Sequence, residues 1–286
     1  MNKLRDTELI ITKDERIYHL NLKKSELADN IILVGDPGRV SEISEKFQSI
    51  ECKIQHREFI THTGFYNDKR ISVISSGIGT DNIDIVINEL DALVNIDFKT
   101  RKINLTKKSL NIIRLGTSGS INNQIPVNSF IVSSYGLGFD GLAHYYKKKD
   151  IRDIELEDIF IKHTNWNSDH ARPYAVKASD DLLRKFKDFQ NGITLTATGF
   201  YGPQARELRL ESSIDNLQEL IEKINYKKLA ITNLEMETSA LYFLGRSLGH
   251  NTITICAVLA NRLKQEYSKE PKKLIDHLIQ EVLNKL

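Results

Sequence analysis

The stretch Ile31-Ile-Leu-Val-Gly35-Asp-Pro-Gly-Arg39-Val40 carries the reading of the fold. Its apolar run ends in Gly-Asp-Pro-Gly and the pattern over 40–47 is helical, so the segment predicts a strand at 31–35, a tight turn and a helix. The same alternation continues outward from it. Segments 58–63 and 70–75 flank Asn67-Asp68 and read as a hairpin, and after Gly77 and Gly79 a helix pattern runs through Ile83, Ile87, Leu90 and Val94. A buried strand is expected at 111–115. Further strands are expected at 193–197, 228–232 and 252–259, helices at 182–189, 217–224 and 239–248, and a closing amphipathic helix from Pro271. With no internal repeat or linker-like tract, this alternation predicts an α/β fold, a single domain with a central mixed β-sheet flanked by helices.

The chain has 286 residues, 40% of them hydrophobic, enough to bury a substantial core. Its 40 basic and 38 acidic side chains leave a net charge of +2, too balanced to mark a nucleic-acid or membrane surface. A small-molecule partner is the expectation. Cys52 and Cys256 form neither a disulfide framework nor a metal-ligand spacing, so free thiols and a reducing, cytoplasmic setting are expected, with no metal. Charges at Lys3, Arg5, Asp6 and Glu8 interrupt the N-terminus, leaving no apolar signal segment. The basic segment 99–108 lacks interleaved aromatics and reads as a solvated loop or helix face, a surface insertion without assigned function.

Three glycine-rich turns follow strands: Gly35-Asp-Pro-Gly-Arg39, Ser75-Ser-Gly-Ile-Gly79 and Arg114-Leu-Gly-Thr-Ser-Gly119. Such turns present backbone N–H groups to an anion, although each alone is explained as well by turn chemistry. Arg39 and Arg114 change the balance, because guanidinium forks match phosphate oxygens. Arg114 interrupts an apolar strand, where an unpaired charge is costly, so it requires an anionic partner. Glu235-Met-Glu237 places two carboxylates at a strand-to-helix junction, which suits either helix capping or acceptance of a ribose diol. Phe200-Tyr-Gly-Pro-Gln-Ala-Arg206 combines an aromatic plane, an amide and a guanidinium. It reads as an ordinary turn or as a base pocket, with stacking on Phe200 and an imide edge met by Gln204 and Arg206.

Taken in order, Ile17-Tyr-His-Leu20, Gly35 to Arg39, His56-Arg-Glu-Phe59, Arg114 to Gly119, Phe200 to Arg206 and Glu235-Met-Glu237 resemble the nucleoside phosphorylase superfamily of uridine phosphorylase and hexameric bacterial purine nucleoside phosphorylase. The resemblance spans most of the chain and implies the phosphorylase/hydrolase-like form of the α/β fold. It implies that Gly35, Arg39, Arg114 and Thr117 surround phosphate, with Arg57 reaching in from a neighbouring subunit. Glu237 would hold the ribose hydroxyls beside Glu235, Met236 would pack on the sugar, and His19 of the neighbour would meet the 5′-hydroxyl. Phe200, Gln204 and Arg206 would bind the base.

The Gln204 and Arg206 pair resembles the uracil-recognising pair of uridine phosphorylases. Purine enzymes of the superfamily carry an aspartate that protonates the purine where this chain reads Ala260-Asn-Arg262, and neutral Asn261 is no such acid. The resemblance thus implies phosphorolysis of uridine with inorganic phosphate as co-substrate and no cofactor, with Arg114, Gln204, Arg206 and Glu237 catalytic. It also implies a homodimer unit with shared active sites, assembling into a homohexamer. The alternatives left open are a purine or broad-specificity phosphorylase and a non-catalytic nucleoside binder of the same fold. The chain departs from the family pattern in a longer N-terminus (1–16), the insertion at about 99–110, Asn82 and Asp84 after the glycine-rich turn, and the reversed Gly202-Pro203 order.

Overall fold

The computed structural model describes residues 3–214 and 216–286. The Ile31 to Arg39 reading holds: β1 (Asn30–Val34) buries Ile31 to Val34 completely, as a strand covered on both faces must. Helix α1 (Pro37–Ser44) starts earlier than expected and stops before Phe47, because Asp36 caps it through the Gly38 N–H (2.9 Å) and Pro37 occupies its first turn.

Next come β2 (Ser49–His56), β3 (Phe59–Tyr66) and β4 (Lys69–Ser75). The β3–β4 hairpin is as expected, with Asn67 and Asp68 both left-handed (φ 46° and 60°), the geometry a two-residue turn demands. Strand β2 was illegible: it is an edge strand whose Glu51, Lys53 and Gln55 face solvent, so it shows no apolar run.

The chain continues through α2 (Thr80–Asn95), β5 (Asn111–Ser120), β6 (Phe130–Gly138), α3 (Ile154–Thr164), β7 (Tyr174–Lys177), α4 (Asp180–Lys185) and β8 (Gln190–Thr196). It closes with α5 (Leu217–Glu222), β9 (Leu229–Glu235), α6 (Thr238–Leu248), β10 (Asn251–Asn261) and α7 (Pro271–Lys285). The helix expected at 182–189 is thus shorter and shifted, and Phe186 onward turns toward β8.

Strand order in the main sheet is β9-β8-β6-β10-β5-β1-β4-β3-β2. β5 and β10 run parallel, and β9 also pairs antiparallel with β5 (Leu234 with Gly119, Asn233 with Ser120), which closes β5, β10, β6, β8 and β9 into a ring. The last residues of β5, β9 and β10 and the turn after β1 meet at one edge of this ring. Helix α6, buried from Thr238 to Gly245, passes behind it, and Tyr242 Oη donates to the Ser133 carbonyl (2.6 Å) while accepting from the Thr254 N–H (2.8 Å).

The 99–108 segment is largely the solvated loop expected, with 99–101 turning the tip of a small ribbon in which Ile96–Asp97 pairs with Lys102–Ile103. Its Arg101 donates to the carbonyls of Leu4 (3.0 Å), Arg5 (3.0 Å) and Leu9, so the N-terminal segment and this ribbon hold each other in place. Cys52 and Cys256 are free thiols, and among the described residues no helix is long and apolar enough to cross a membrane.

Candidate active site

A cavity of about 1510 Å³ opens at the converging strand ends. Its walls include Gly35, Arg39, Arg114, Thr117, Phe200, Gln204, Arg206, Glu235, Met236 and Glu237, residues spread over some 200 positions of sequence yet gathered around one space. Of the residues singled out from the sequence, only His19 and Arg57 are not part of this wall.

At the centre lies Arg114, its side chain 5% exposed, reaching out of β5 to both carboxylates of the β9–α6 junction. Nη1 is 3.2 Å from Glu235 Oε2, and Nη2 pairs with Glu237 Oε2. The expected anionic partner is therefore internal, two glutamates, rather than a demand that a ligand alone can satisfy. Burial acts to lower the Arg114 pKa, but the two carboxylates outweigh it and hold the guanidinium firmly charged. Gly116 makes the reach possible: a Cβ there would lie 2.1 Å from Arg114 Nη1 and 3.0 Å from Cys256 Sγ. Burial pushes the Cys256 thiol up to about 12, so it meets Arg114 Nη1 (3.9 Å) as a neutral group.

The two glutamates divide the work that the sequence left undivided. Glu235 caps α6: its oxygens accept from the Glu237 N–H (3.0 Å), the Thr238 N–H (3.0 and 3.1 Å) and Thr196 Oγ1 (2.7 Å). With Arg114 added, its acceptor capacity is used up. Among the described residues Glu237 accepts only from Arg114 and, through Oε1, from the Gly79 N–H (2.7 Å), so each of its oxygens keeps a free lone pair. Gly79 is left-handed (φ 103°), which aims that N–H from the start of α2. Burial raises the Glu237 pKa, Arg114 opposes it, and the nearby Glu235 charge adds to it, leaving a net rise.

Arg39, half-buried at the start of α1, donates to the Leu115 carbonyl (3.4 Å), and its pKa is lowered chiefly by burial, with Asp36 opposing and Arg114 reinforcing. No carboxylate pairs with it within salt-bridge distance among the described residues. Together with the Gly35 turn and Thr117 it forms a positively charged end of the cavity.

The opposite end is built by the Phe200 to Arg206 segment, a short 3-10 turn (Gly202–Gln204) whose Gln204 is 2% exposed. Arg206 lies over the Phe200 ring, 4.3 Å from its centroid, so one face of that ring is already covered and the stacking surface differs from the bare aromatic plane expected. The Nε–H groups of both Arg114 and Arg206 are buried without a hydrogen-bond partner among the described residues.

Sequence reasoning missed Arg262. It follows β10 and donates to the carbonyls of Gln204 (2.7 Å) and Ala205 (3.1 Å), fixing the turn that carries Gln204. Burial and the nearby Arg206 guanidinium lower its pKa to about 10. The signal was akin to that of Arg114: a cation directly after an apolar strand, where Arg114 stands within one. Asn261 spends its amide on the carbonyls of Asn122 (3.1 Å) and Ile125 (2.8 Å), with Oδ1 accepting from the Lys264 N–H (3.0 Å).

His19 and Arg57 sit together elsewhere. Arg57, exposed and left-handed (φ 55°) in the β2–β3 turn, lies 5.8 Å from the centroid of the Tyr18 ring, which meets the His19 ring edge-on at 4.8 Å. The neighbouring His56 Nδ1 contacts the His19 carbonyl at 2.9 Å.

This combination of a closed strand ring and a cleft with a cationic end, a carboxylate centre and an amide end defines an α/β enzyme site for a small ligand that is part anion and part polar ring. Residues 29–284 match the model of the Phosphorylase superfamily, and the chain belongs to that superfamily. It is 28% identical over 265 residues to the uridine phosphorylase of Thermococcus kodakarensis, covering 92% of this chain and 83% of that one. Identity to a DeoD-type purine nucleoside phosphorylase of Clostridium novyi is also 28%, over 249 residues, 84% of this chain and 85% of that one. Among solved structures, a Trypanosoma brucei nucleoside phosphorylase described as showing uridine phosphorylase activity superposes with a TM-score of 0.87 at 30% identity, covering 97% of this chain and 99% of that one.

Proposed function

We propose that the chain is a pentosyltransferase that cleaves uridine with inorganic phosphate to uracil and ribose 1-phosphate. The observation that carries this reading is that the buried Gln204 and the half-buried Arg206 share one cavity with the Arg39 turn, Arg114 and Glu237. In this reading Gly35, Arg39, Arg114 and Thr117 bind phosphate, Glu237 accepts from the ribose diol with Glu235 holding the helix start behind it, and Met236 packs on the sugar. Phe200, Gln204 and Arg206 receive uracil, Arg262 keeping their turn in place. The unmet Nε–H donors of Arg114 and Arg206 support it, because an unpaired buried donor costs about 1–3 kcal/mol and a ligand would supply the acceptor.

A phosphate oxygen attacks C1′ from the face opposite the base. The C1′–N1 bond breaks, its electron pair passes to the uracil ring and spreads onto the carbonyl oxygens, and a proton then completes uracil. The barrier falls because phosphate charge lies beside the developing oxocarbenium ion, while Gln204 and Arg206 donate to the ring as it becomes negative. Positioning supplies the remainder. No cofactor takes part.

His19 and Arg57 act in the site of an adjoining subunit of a homodimer unit, and six chains form the full assembly. Their clustering through Tyr18 and His56, apart from the cavity of their own chain, supports that role. The working compartment is the cytoplasm. Segments 1–16 and about 99–110 are an extension and an insertion on the single domain, clasped by Arg101.

The test is chromatographic detection of uracil from uridine with and without phosphate. Phosphate-dependent release supports the reading. Release without phosphate makes the protein a nucleosidase, and phosphate-dependent cleavage of inosine in place of uridine makes it a purine enzyme. A second reading, a non-catalytic nucleoside binder, gains from neither Arg39 nor Arg114, since such a protein needs no anion cradle.

A further inference from the structure

One carboxylate in the molecule is spent entirely on the segment that carries His19. Glu89 projects from the middle of α2, its side chain 13% exposed, and its two oxygens receive the His19 N–H (3.0 and 3.1 Å) and the Leu20 N–H (2.8 Å). Oε1 also lies 2.6 Å from His19 Nδ1. No Lys or Arg pairs with Glu89 within salt-bridge distance among the described residues. An ionised carboxylate only accepts hydrogen bonds, so the ring atom facing it must carry the proton. That choice of tautomer decides the chemistry of the other ring nitrogen.

We propose that Glu89 is a positioning residue of the nucleoside site, acting through His19. It holds the ring by backbone and side chain at once and keeps the proton on Nδ1, so that the lone pair of Nε2 is free to accept from a hydroxyl of the substrate bound in the adjoining subunit. The inference rests on the reading in which His19 meets the 5′-hydroxyl. The same helix reaches the chain's own cavity at its other end, where the Gly79 N–H holds Glu237. A single rigid element therefore fixes a sugar-binding group for each of two sites.

Loss of Glu89 should act on the 5′-hydroxyl contact and on little else. The experiment compares kcat/KM for uridine and 5′-deoxyuridine in the parent, His19→Ala and Glu89→Gln, with thermal midpoints alongside. The expected result is a parent preference for uridine that falls about tenfold in Glu89→Gln, the order of one hydrogen bond to a charged or polarised group. Turnover of 5′-deoxyuridine should stay within about twofold, and Glu89→Gln should have no further effect once His19 is alanine. Nitrogen-15 spectra of the histidines, with the His19 signals assigned by their loss in His19→Ala, should show the proton on Nδ1 in the parent.

A parent that uses both nucleosides equally overturns the 5′-hydroxyl reading, and the proposal with it. Discrimination that disappears in His19→Ala but survives intact in Glu89→Gln overturns the proposal alone. An equal fall for both nucleosides in Glu89→Gln means that Glu89 merely supports the fold, as does a His19 proton on Nε2.

Discussion

The two ends of the cavity are built on opposite plans. The end proposed to take phosphate and sugar is a buried web in which Arg114, Glu235, Glu237, Gly79 and Thr196 restrain one another, each group anchored on a strand of the closed ring or on a helix start. The end proposed to take the base is a surface turn: Phe200 and Tyr201 are half-exposed, Leu208 and Leu210 beyond them are almost fully exposed, and Arg262 is the principal tie. Charge separates them too. Arg114 is neutralised by two carboxylates, whereas Arg206 and Arg262 face each other with no carboxylate in salt-bridge range among the described residues. The difference teaches that the half assigned to phosphate and sugar is locked into the fold, while the half assigned to the base can vary at small cost to stability.

The largest effect expected from this contrast is that of Arg114→Ala. It strands Glu235 and Glu237 in the interior, a change worth about 3–5 kcal/mol of stability, and it should weaken phosphate binding more than any base-end variant. Thermal unfolding and the phosphate KM check both. Gly116→Ala should imitate it more mildly, because the new methyl group displaces the guanidinium.

Arg206→Ala should do the reverse, lowering kcat/KM for uridine by about 10²-fold, comparable to removal of one transition-state donor, with an unfolding midpoint close to that of the parent. Equal small effects from Arg114→Ala and Arg206→Ala would erase the distinction between the two ends.

Glu237→Gln tests the junction itself. Because the Glu237 pKa is raised, protonation should begin to remove its acceptor oxygen at a pH above the ordinary glutamate value of about 4.3. The KM for uridine should therefore rise as pH falls toward that range, and the limb should vanish in Glu237→Gln. The sign for stability follows from the same shift: between the unfolded and folded pKa values the native state binds the extra proton, so this group destabilises the fold as pH rises through that window. The smallest effect on activity belongs to Asn261→Asp. The new side chain keeps the Lys264 contact but loses its donors to Asn122 and Ile125, costing about 1–3 kcal/mol. It should add no purine cleavage, because the Lys264 N–H still holds the new carboxylate.

Much of this was legible beforehand, for identifiable reasons. β1, the β3–β4 hairpin, α6 and α7 announce themselves because burial on one or both faces imposes a period on the apolar residues. β6 and α3 passed unnoticed. The Ser133-Ser134 pair and three glycines-or-tyrosine positions of β6 dilute its apolar run, and α3 places two glutamates, an aspartate and a lysine among its eleven residues. At the site, ten of the twelve chosen residues share one cavity, because glycine turns that mean little singly gain weight from the arginines beside them and from the order of the motifs along the chain.

By itself the sequence determined the alternation of strands and helices, the turn chemistry at Asp36-Pro37 and Asn67-Asp68, and the residue types that suit an anion, a diol and an imide. These are local properties, set by period, backbone preference and side-chain inventory. Only the tertiary structure decided which partner each charge takes. That Arg114 answers to Glu235 and Glu237, that Glu235 caps while Glu237 faces the cavity and that Arg262 braces Gln204 depend on closure of the strand ring, and that Glu89 holds His19 depends on the packing of α2 against the N-terminal segment. Apart from the cap itself, these pairings are made across more than fifty residues of chain, and no local pattern records them.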